Sequence, residues 1–319
     1  MQSEIILNQI LILGVLALIG AIASRTGIIT EILKEGIASL VFNITLPLLI
    51  LSSFTSLDVT FELLRNGLLV LILSFAALFS FLFTGRLSSL AQRLKKETAG
   101  IHILHTAFGN TVFLGFPLMN ALFPGGQALF YATLFYLAAT TVMWTVGVNL
   151  LIPSSSPGIK QKLKNLLNPN TIAFAVGILF MLAGVNIPSV INIPLTGLGE
   201  TTSYLSMLYI GSMLAQADIR QVFSRQQVYL LSLNKLIISP VLLIIVFRSI
   251  FNVLSLNMDP VAFAVVILQA GTPCMTIVVV LAKKFNADDN HAMENVFIST
   301  ILSLFSLPLL YWMIGAIVF

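Results

Sequence analysis

Apolar runs close to the ~20 residues that a helix needs to cross the hydrocarbon layer recur from one end of this chain to the other, and nothing else restricts its fold as strongly. A helix satisfies its own backbone hydrogen bonds, so a chain built of such runs is expected to lie in a bilayer as a set of helices. A transmembrane barrel does not fit, because barrel strands alternate apolar and polar residues and these runs are continuous. Composition points the same way: of 319 residues 58% are hydrophobic and 9% are charged, against roughly 25% charged in an ordinary soluble domain. The opening Met1-Gln2-Ser3-Glu4 has neither a basic stretch nor a small-residue cleavage site, so the first run is expected to be a retained span and not a signal peptide. A single cysteine, Cys274, excludes an internal disulfide framework and a Cys-rich metal site, and no metal or cofactor is expected.

Charged and Pro/Gly-rich joints divide the runs into ten spans: Ile5–Ala23, Glu35–Phe54, Asn66–Thr84, Thr98–Leu122, Gln127–Ile152, Pro169–Val185, Leu198–Gln216, Gln226–Phe251, Pro260–Ala282 and His291–Ile317. With ten spans, Arg25, Lys34, Arg86, Arg93, Lys95, Lys96, Lys160, Lys162, Lys164, Arg220, Arg225, Lys283 and Lys284 fall on one side. Arg65 and Arg248 fall on the other, and Lys235 lies inside a span. Lys and Arg mark cytoplasmic loops, so both termini are expected outside the plasma (inner) membrane, and the loop 153–168 in the cytoplasm. The net charge of +4 is then a consequence of topology, and no nucleic-acid partner is implied. That loop separates two sets of five spans, residues 1–152 and 169–319. An odd number in each set makes the halves face opposite ways, the inverted-repeat arrangement of many transporters.

A helix breaker recurs at matching places in the two halves. The fourth span carries Gly109-Asn110-Thr111-Val112-Phe113-Leu114-Gly115-Phe116-Pro117, and the ninth carries Gln269-Ala270-Gly271-Thr272-Pro273-Cys274-Met275-Thr276. Proline removes a backbone donor and collides with the preceding turn, so each segment is expected to open. Opened backbone is tolerated at membrane depth only where protein covers it or where it lines a wet cavity. The two segments are therefore expected to face each other and a bound solute, with the half-helices beyond them turning their positive ends toward an anion. Asn110, Thr111, Thr272 and Thr276 are the candidate side-chain ligands, beside the backbone of Gly115, Pro117, Gly271, Pro273 and Cys274.

The run Asn110-Thr111-Val112-Phe113-Leu114-Gly115-Phe116-Pro117 resembles the N-T-x-F-x-G-x-P pattern of the auxin efflux carrier family, which includes plant auxin carriers and bacterial malate and malonate permeases. Leu46-Pro47, Trp144-Thr145-Val146-Gly147, Leu167-Asn168-Pro169, Ile210-Gly211 and Leu281-Ala282 agree with it, so the resemblance covers nearly the whole chain. It implies an all-α membrane protein with the fold of bile acid symporters and sodium/proton antiporters: ten transmembrane helices in two inverted five-helix repeats with crossed broken helices. It implies further that spans 1, 2, 6 and 7 form a scaffold and that spans 3–5 and 8–10 form a transport domain moving like an elevator. Small organic anions such as malate, malonate or auxin-like acids would be the substrate, and a homodimer the assembly. Relatives often read P-S-A-T-N where this chain reads Pro273-Cys274-Met275-Thr276-Ile277. The second asparagine is replaced by Ile277, which points to a smaller or less polar ligand.

Ionisable residues inside spans are expensive and therefore informative. Lys235, within the eighth span, either extends its stem to the cytoplasmic face or offsets carbonyl ends and attracts an anion. His105, on one helical face with His102, is a candidate proton site, since histidine changes charge near neutral pH. Glu294 begins the tenth span as a helix-end acid or a vestibule residue. Gln269 could hold sodium through its amide, so proton or sodium coupling both stay open, and sodium-coupled symport of bile-acid-type anions is the alternative function. No zinc-binding pair, aspartate dyad or glycine-flanked serine indicates an enzyme. A channel would use the same broken helices as a filter, and a receptor would bind ligand without flux.

Overall fold

The computed structural model describes residues 2–55, 57–151, 166–185, 187–215, 225–285 and 287–318. Most of the 153–168 loop, with Lys160, Lys162 and Lys164, and also Arg220, lies outside them. Within them the chain is helical without strands: α1 (Gln2–Arg25), α2 (Glu31–Leu40), α3 (Leu46–Thr55), α4 (Phe61–Ala91), α5 (Lys96–Ala107), α6 (Phe116–Leu122), α7 (Gln127–Val142) and α8 (Val148–Leu151). After the loop come α9 (Pro169–Leu182), α10 (Ser189–Ala215), α11 (Gln226–Leu233), α12 (Ser239–Val253), α13 (Pro260–Ala270), α14 (Ile277–Lys284) and α15 (Asp289–Val318). Among the described residues, five helical stretches are long and apolar enough to cross a membrane: Glu31–Phe54, Phe61–Ala91, Gln127–Leu151, Gln226–Val253 and Asp289–Ala316. Their surroundings suit lipid, with Phe83, Phe305 and Trp312 exposed while His105, Asn295 and Ser299 are buried.

Helix ends and irregularities follow local chemistry. Asn168 caps α9 through the backbone N–H groups of Asn170 and Thr171, and Pro169 fills a first position where its missing donor costs nothing. Asp259 and Pro260 start α13 in the same way. Among the described residues, four wide π turns interrupt the helices, at Val41–Thr45, Thr111–Gly115, Met143–Gly147 and Asn234–Ile238. Three of them end two residues before a proline, namely Pro47, Pro117 and Pro240. Widening the turn moves the earlier carbonyls out of the proline ring's way, so the helix continues where an α-helical turn would break.

Packing divides the chain into two compact units, Met1–Leu68 with Thr111–Leu134 and Lys164–Gln216, and Leu69–Asn110 with Phe135–Leu163 and Ala217–Phe319. In the first, α1 lies along α10, and α3 packs on α9 and α10. The approach of α1 to α10 depends on small residues: a Cβ on Gly211 would collide with the Ala17 carbonyl, and one on Gly20 with the Leu208 carbonyl. Without a hydrophobic drive between helices in lipid, such backbone proximity is what gives packing energy. Gly211→Ala is expected to lower stability by about 1–3 kcal/mol, measured as a drop in the thermal midpoint of the detergent-solubilised protein. Phe54 fills the same unit, edge-on to Phe130 and Phe174 with ring centres 5.4 and 5.5 Å away. In the second unit, α15 is the axis on which α5, α11, α13 and α14 pack.

Candidate functional site

Both predicted openings exist, and they pair with each other. α5 ends at Ala107, and Phe108 turns extended at φ −106° and ψ 122°. Past α13, residues 271–276 are non-helical, with Pro273 among them. Gly109 and Cys274 stand opposite one another as an isolated antiparallel pair. The Asn110 N–H donates to the Pro273 carbonyl at 2.7 Å, and the Met275 N–H donates to the Phe108 carbonyl at 3.2 Å. Each opened segment thus takes the backbone groups that the other has freed, which is how irregular backbone survives in a buried place. The Cys274 N–H donates to Ser299 Oγ at 3.0 Å, which ties the pair to α15.

The position of the first opening differs from the expectation. It lies at Phe108-Gly109-Asn110, ahead of Pro117, because the π turn Thr111–Gly115 carries the helix past the proline into α6. Asn110, Gly271, Thr272, Pro273 and Cys274 come together in the second unit, all buried. Thr276 is there too, half-buried. Thr111, Gly115 and Pro117 belong to the first unit, in the helical run that starts after the opening. The Thr272 hydroxyl donates to the Gln269 carbonyl at 2.7 Å. Ile277, where relatives carry an amide, is 37% exposed.

Lys235 does not reach the surface. It is fully buried on the π turn Asn234–Ile238, with Nζ donating to the Ala270 carbonyl at 2.9 Å and lying 5.0 Å from the centre of the Phe81 ring. Ala270 ends α13, where the last carbonyls lack intrahelical partners and carry the negative end of the helix dipole. The amine therefore satisfies a helix-end carbonyl directly beside the crossing. Gln269 is buried, and its side-chain oxygen and nitrogen make no hydrogen bond among the described residues.

His105 is held on both ring nitrogens. Nε2 lies 3.3 Å from the Met275 carbonyl, and Nδ1 lies 3.3 Å from Asn295 Nδ2. A carbonyl only accepts, so Nε2 carries the proton and Nδ1 accepts from the amide, an assignment that follows from the partners. Glu294 Oε2 lies 3.4 Å from Arg225 Nη1. Asn295, Ser299 and His291 are the residues that reasoning from sequence missed. Their signal was available: Asp288, His291, Asn295, Ser299 and Ser303 repeat at three- and four-residue spacing, a polar stripe along one face of the last span.

The sequence pattern of a family described as membrane transport protein matches residues 5–311. A transporter of Methanothermobacter thermautotrophicus, named only as uncharacterized, is 30% identical over 304 residues, covering 92% of this chain and 94% of that one. A second uncharacterized transporter, from Methanocaldococcus jannaschii, is 24% identical over 312 residues, covering 97% and 98%. With a crossing of opened segments inside a set of membrane helices and a match from end to end, the chain is a multi-pass membrane protein that belongs to the membrane transport family of the auxin efflux carriers.

Proposed function

We propose that this protein is a secondary transporter of small organic anions, carboxylates such as malate, malonate or auxin-like acids, which it binds at the crossing of the two opened segments. The pairing of Phe108-Gly109-Asn110 with Pro273-Cys274-Met275 is the observation that carries this reading. It gathers polar backbone, the amide of Asn110 and the hydroxyl of Thr272 within a packed unit. Lys235 adds a protonatable amine at the same place, donating to the Ala270 carbonyl. Amides and a nearby cation are the donors that a carboxylate requires.

Alternating access would come from an elevator motion in a homodimer of ten-span protomers, with the repeats 1–152 and 169–319 inverted and both termini outside. The division into two packed units supports it, since the first contains most of spans 1, 2, 6 and 7 and the second most of spans 3, 8, 9 and 10. Sodium-coupled symport is a second reading, favoured by one observation, the buried and unbonded amide of Gln269, whose oxygen is of the type that hard cations bind. An uptake rate that rises with sodium and becomes sodium-independent in Gln269→Leu would support it.

Labelled malate uptake into proteoliposomes, competed by other unlabelled acids, tests the main reading. Saturable uptake is expected, and Asn110→Ala at matched protein density should reduce it about 10- to 100-fold, the loss of a hydrogen bond to a charged group. Equal uptake by both proteins would remove Asn110 from the site. Current through single molecules would indicate a channel, and binding without flux a receptor.

A further inference from the structure

The second unit contains a run of titratable side chains that carbonyl pairing and carboxylate binding leave unused. Thr98, His102 and His105 follow at four- and three-residue spacing on α5, and Asp288, just before α15, is followed by His291 and Asn295 on it at three- and four-residue spacing. At the loop end, Asp288 accepts from Thr98 Oγ1 at 3.3 Å and from the His291 N–H at 3.1 Å, and lies 3.8 Å from Arg225. The side chains of Arg225 and Asp288 are 44% and 29% exposed, whereas those of Glu294 and His291 are 9% and 0% exposed. Glu294 Oε2 stands 3.9 Å from His291 Nδ1, and His291 is within electrostatic reach of both His102 and His105.

What makes the run unusual is how much of it carries no hydrogen bond. Both ring nitrogens of His291, Nδ1 of His102 and Oδ1 of Asn295 are buried without one among the described residues, while Oε2 of Glu294 is held by the Arg225 guanidinium at 3.4 Å. Buried polar atoms ordinarily find partners, and a chain of them left open is suited to water or to mobile protons. His105 closes the run at the crossing. From its own helix it is faced by His102, and from α15 by His291 and Asn295. From the ninth span it is faced by the Met275 carbonyl and Cys274, and from the eighth by the Lys235 ammonium.

We propose that these two ladders form a proton path from the loop end of α5, α11 and α15 to His105, so that a proton and a carboxylate are carried together. This deepens the carboxylate reading and rests on it. A proton from water attaches to Glu294 and passes to one nitrogen of His291, which releases the proton from its other nitrogen inward. His105 gains that proton on Nδ1 while keeping the one on Nε2 that it donates to Met275. Rotation of the Asn295 amide frees Nδ1 for this proton and presents Oδ1, unbonded in this structure, to accept from the Nδ1–H that forms. The cation formed lies beside the anion site, so binding of each favours the other by the same factor.

Proteoliposomes with a trapped pH dye test this with malate. Malate influx is expected to carry protons inward. His291→Gln should lower the pH change per malate at least about tenfold, while malate-for-malate exchange, which needs no net proton, stays within about twofold. Malate uptake without a pH change, or an unchanged ratio in His291→Gln, would overturn the path. Isotope-labelled histidine spectra in nanodiscs, with His105 assigned by its loss in His105→Gln, decide the proton site separately. Protonation at pH 5 with malate present or absent is expected, and a neutral ring in both conditions overturns the proposal. Absence of exchange with any acid would count against the carboxylate reading alone, because the histidine spectra are read without transport.

Discussion

Gly109→Val is expected to reduce transport to below about 1% of wild type and to lower thermal stability measurably. Gly109 is opposite Cys274 in a pair of the close, non-hydrogen-bonded kind, flanked by the bonds Asn110 to Pro273 and Met275 to Phe108. A Cβ there would collide with the Thr272 hydroxyl and sit 3.0 Å from the Thr272 carbonyl. Thr272 cannot easily turn aside: β-branching stiffens it, and its hydroxyl is engaged with Gln269. Relief requires the two segments to separate, which strains the core and breaks two buried backbone bonds. Together these costs are about 3 kcal/mol or more, equivalent to roughly a hundredfold in rate if the crossing is the site. Uptake in proteoliposomes and the melting midpoint of the same preparation check both parts. Wild-type uptake by Gly109→Val would show that the crossing does not take part in transport.

Lys235 separates structural from functional roles when replaced in two ways. Lys235→Ala leaves a cavity and an orphaned Ala270 carbonyl in a fully buried place, and should cost about 2–5 kcal/mol of stability. Lys235→Met keeps the volume and removes a charge whose burial is itself expensive, so stability should stay within about 1 kcal/mol of wild type. If the ammonium draws the anion, malate uptake should fall about 10- to 100-fold in both variants. Normal uptake by a stable Lys235→Met would make the residue a helix-end cap with no part in transport.

The opened segments were legible in the sequence because Gly and Pro within an apolar span have few uses, and two such clusters at matching places have fewer still. Their detail was legible only in part. Pro273 lies within its opening, whereas Pro117 lies in a helix, and nothing local distinguishes the two prolines. The difference is that Thr111–Gly115 widens into a π turn, while Phe108-Gly109-Asn110 opens to meet a partner 163 residues or more away along the chain. Lys235 presented the same limit: its stem could reach the membrane surface or a carbonyl, and only the end of α13 beside it selects the carbonyl.

By itself, the sequence determined that the chain is a helical membrane protein, and that two of its apolar runs carry helix breakers at matching places. These follow from hydropathy, which is additive along a segment, and from the fixed geometry of proline and glycine. Tertiary structure alone decided which backbone groups pair across the interruptions, that His105 is shared between Met275 and Asn295, and that the polar stripe of α15 faces α5. Those outcomes depend on long-range partners for buried polar groups, and an unpaired group inside a membrane protein is costly enough to make such partners decisive.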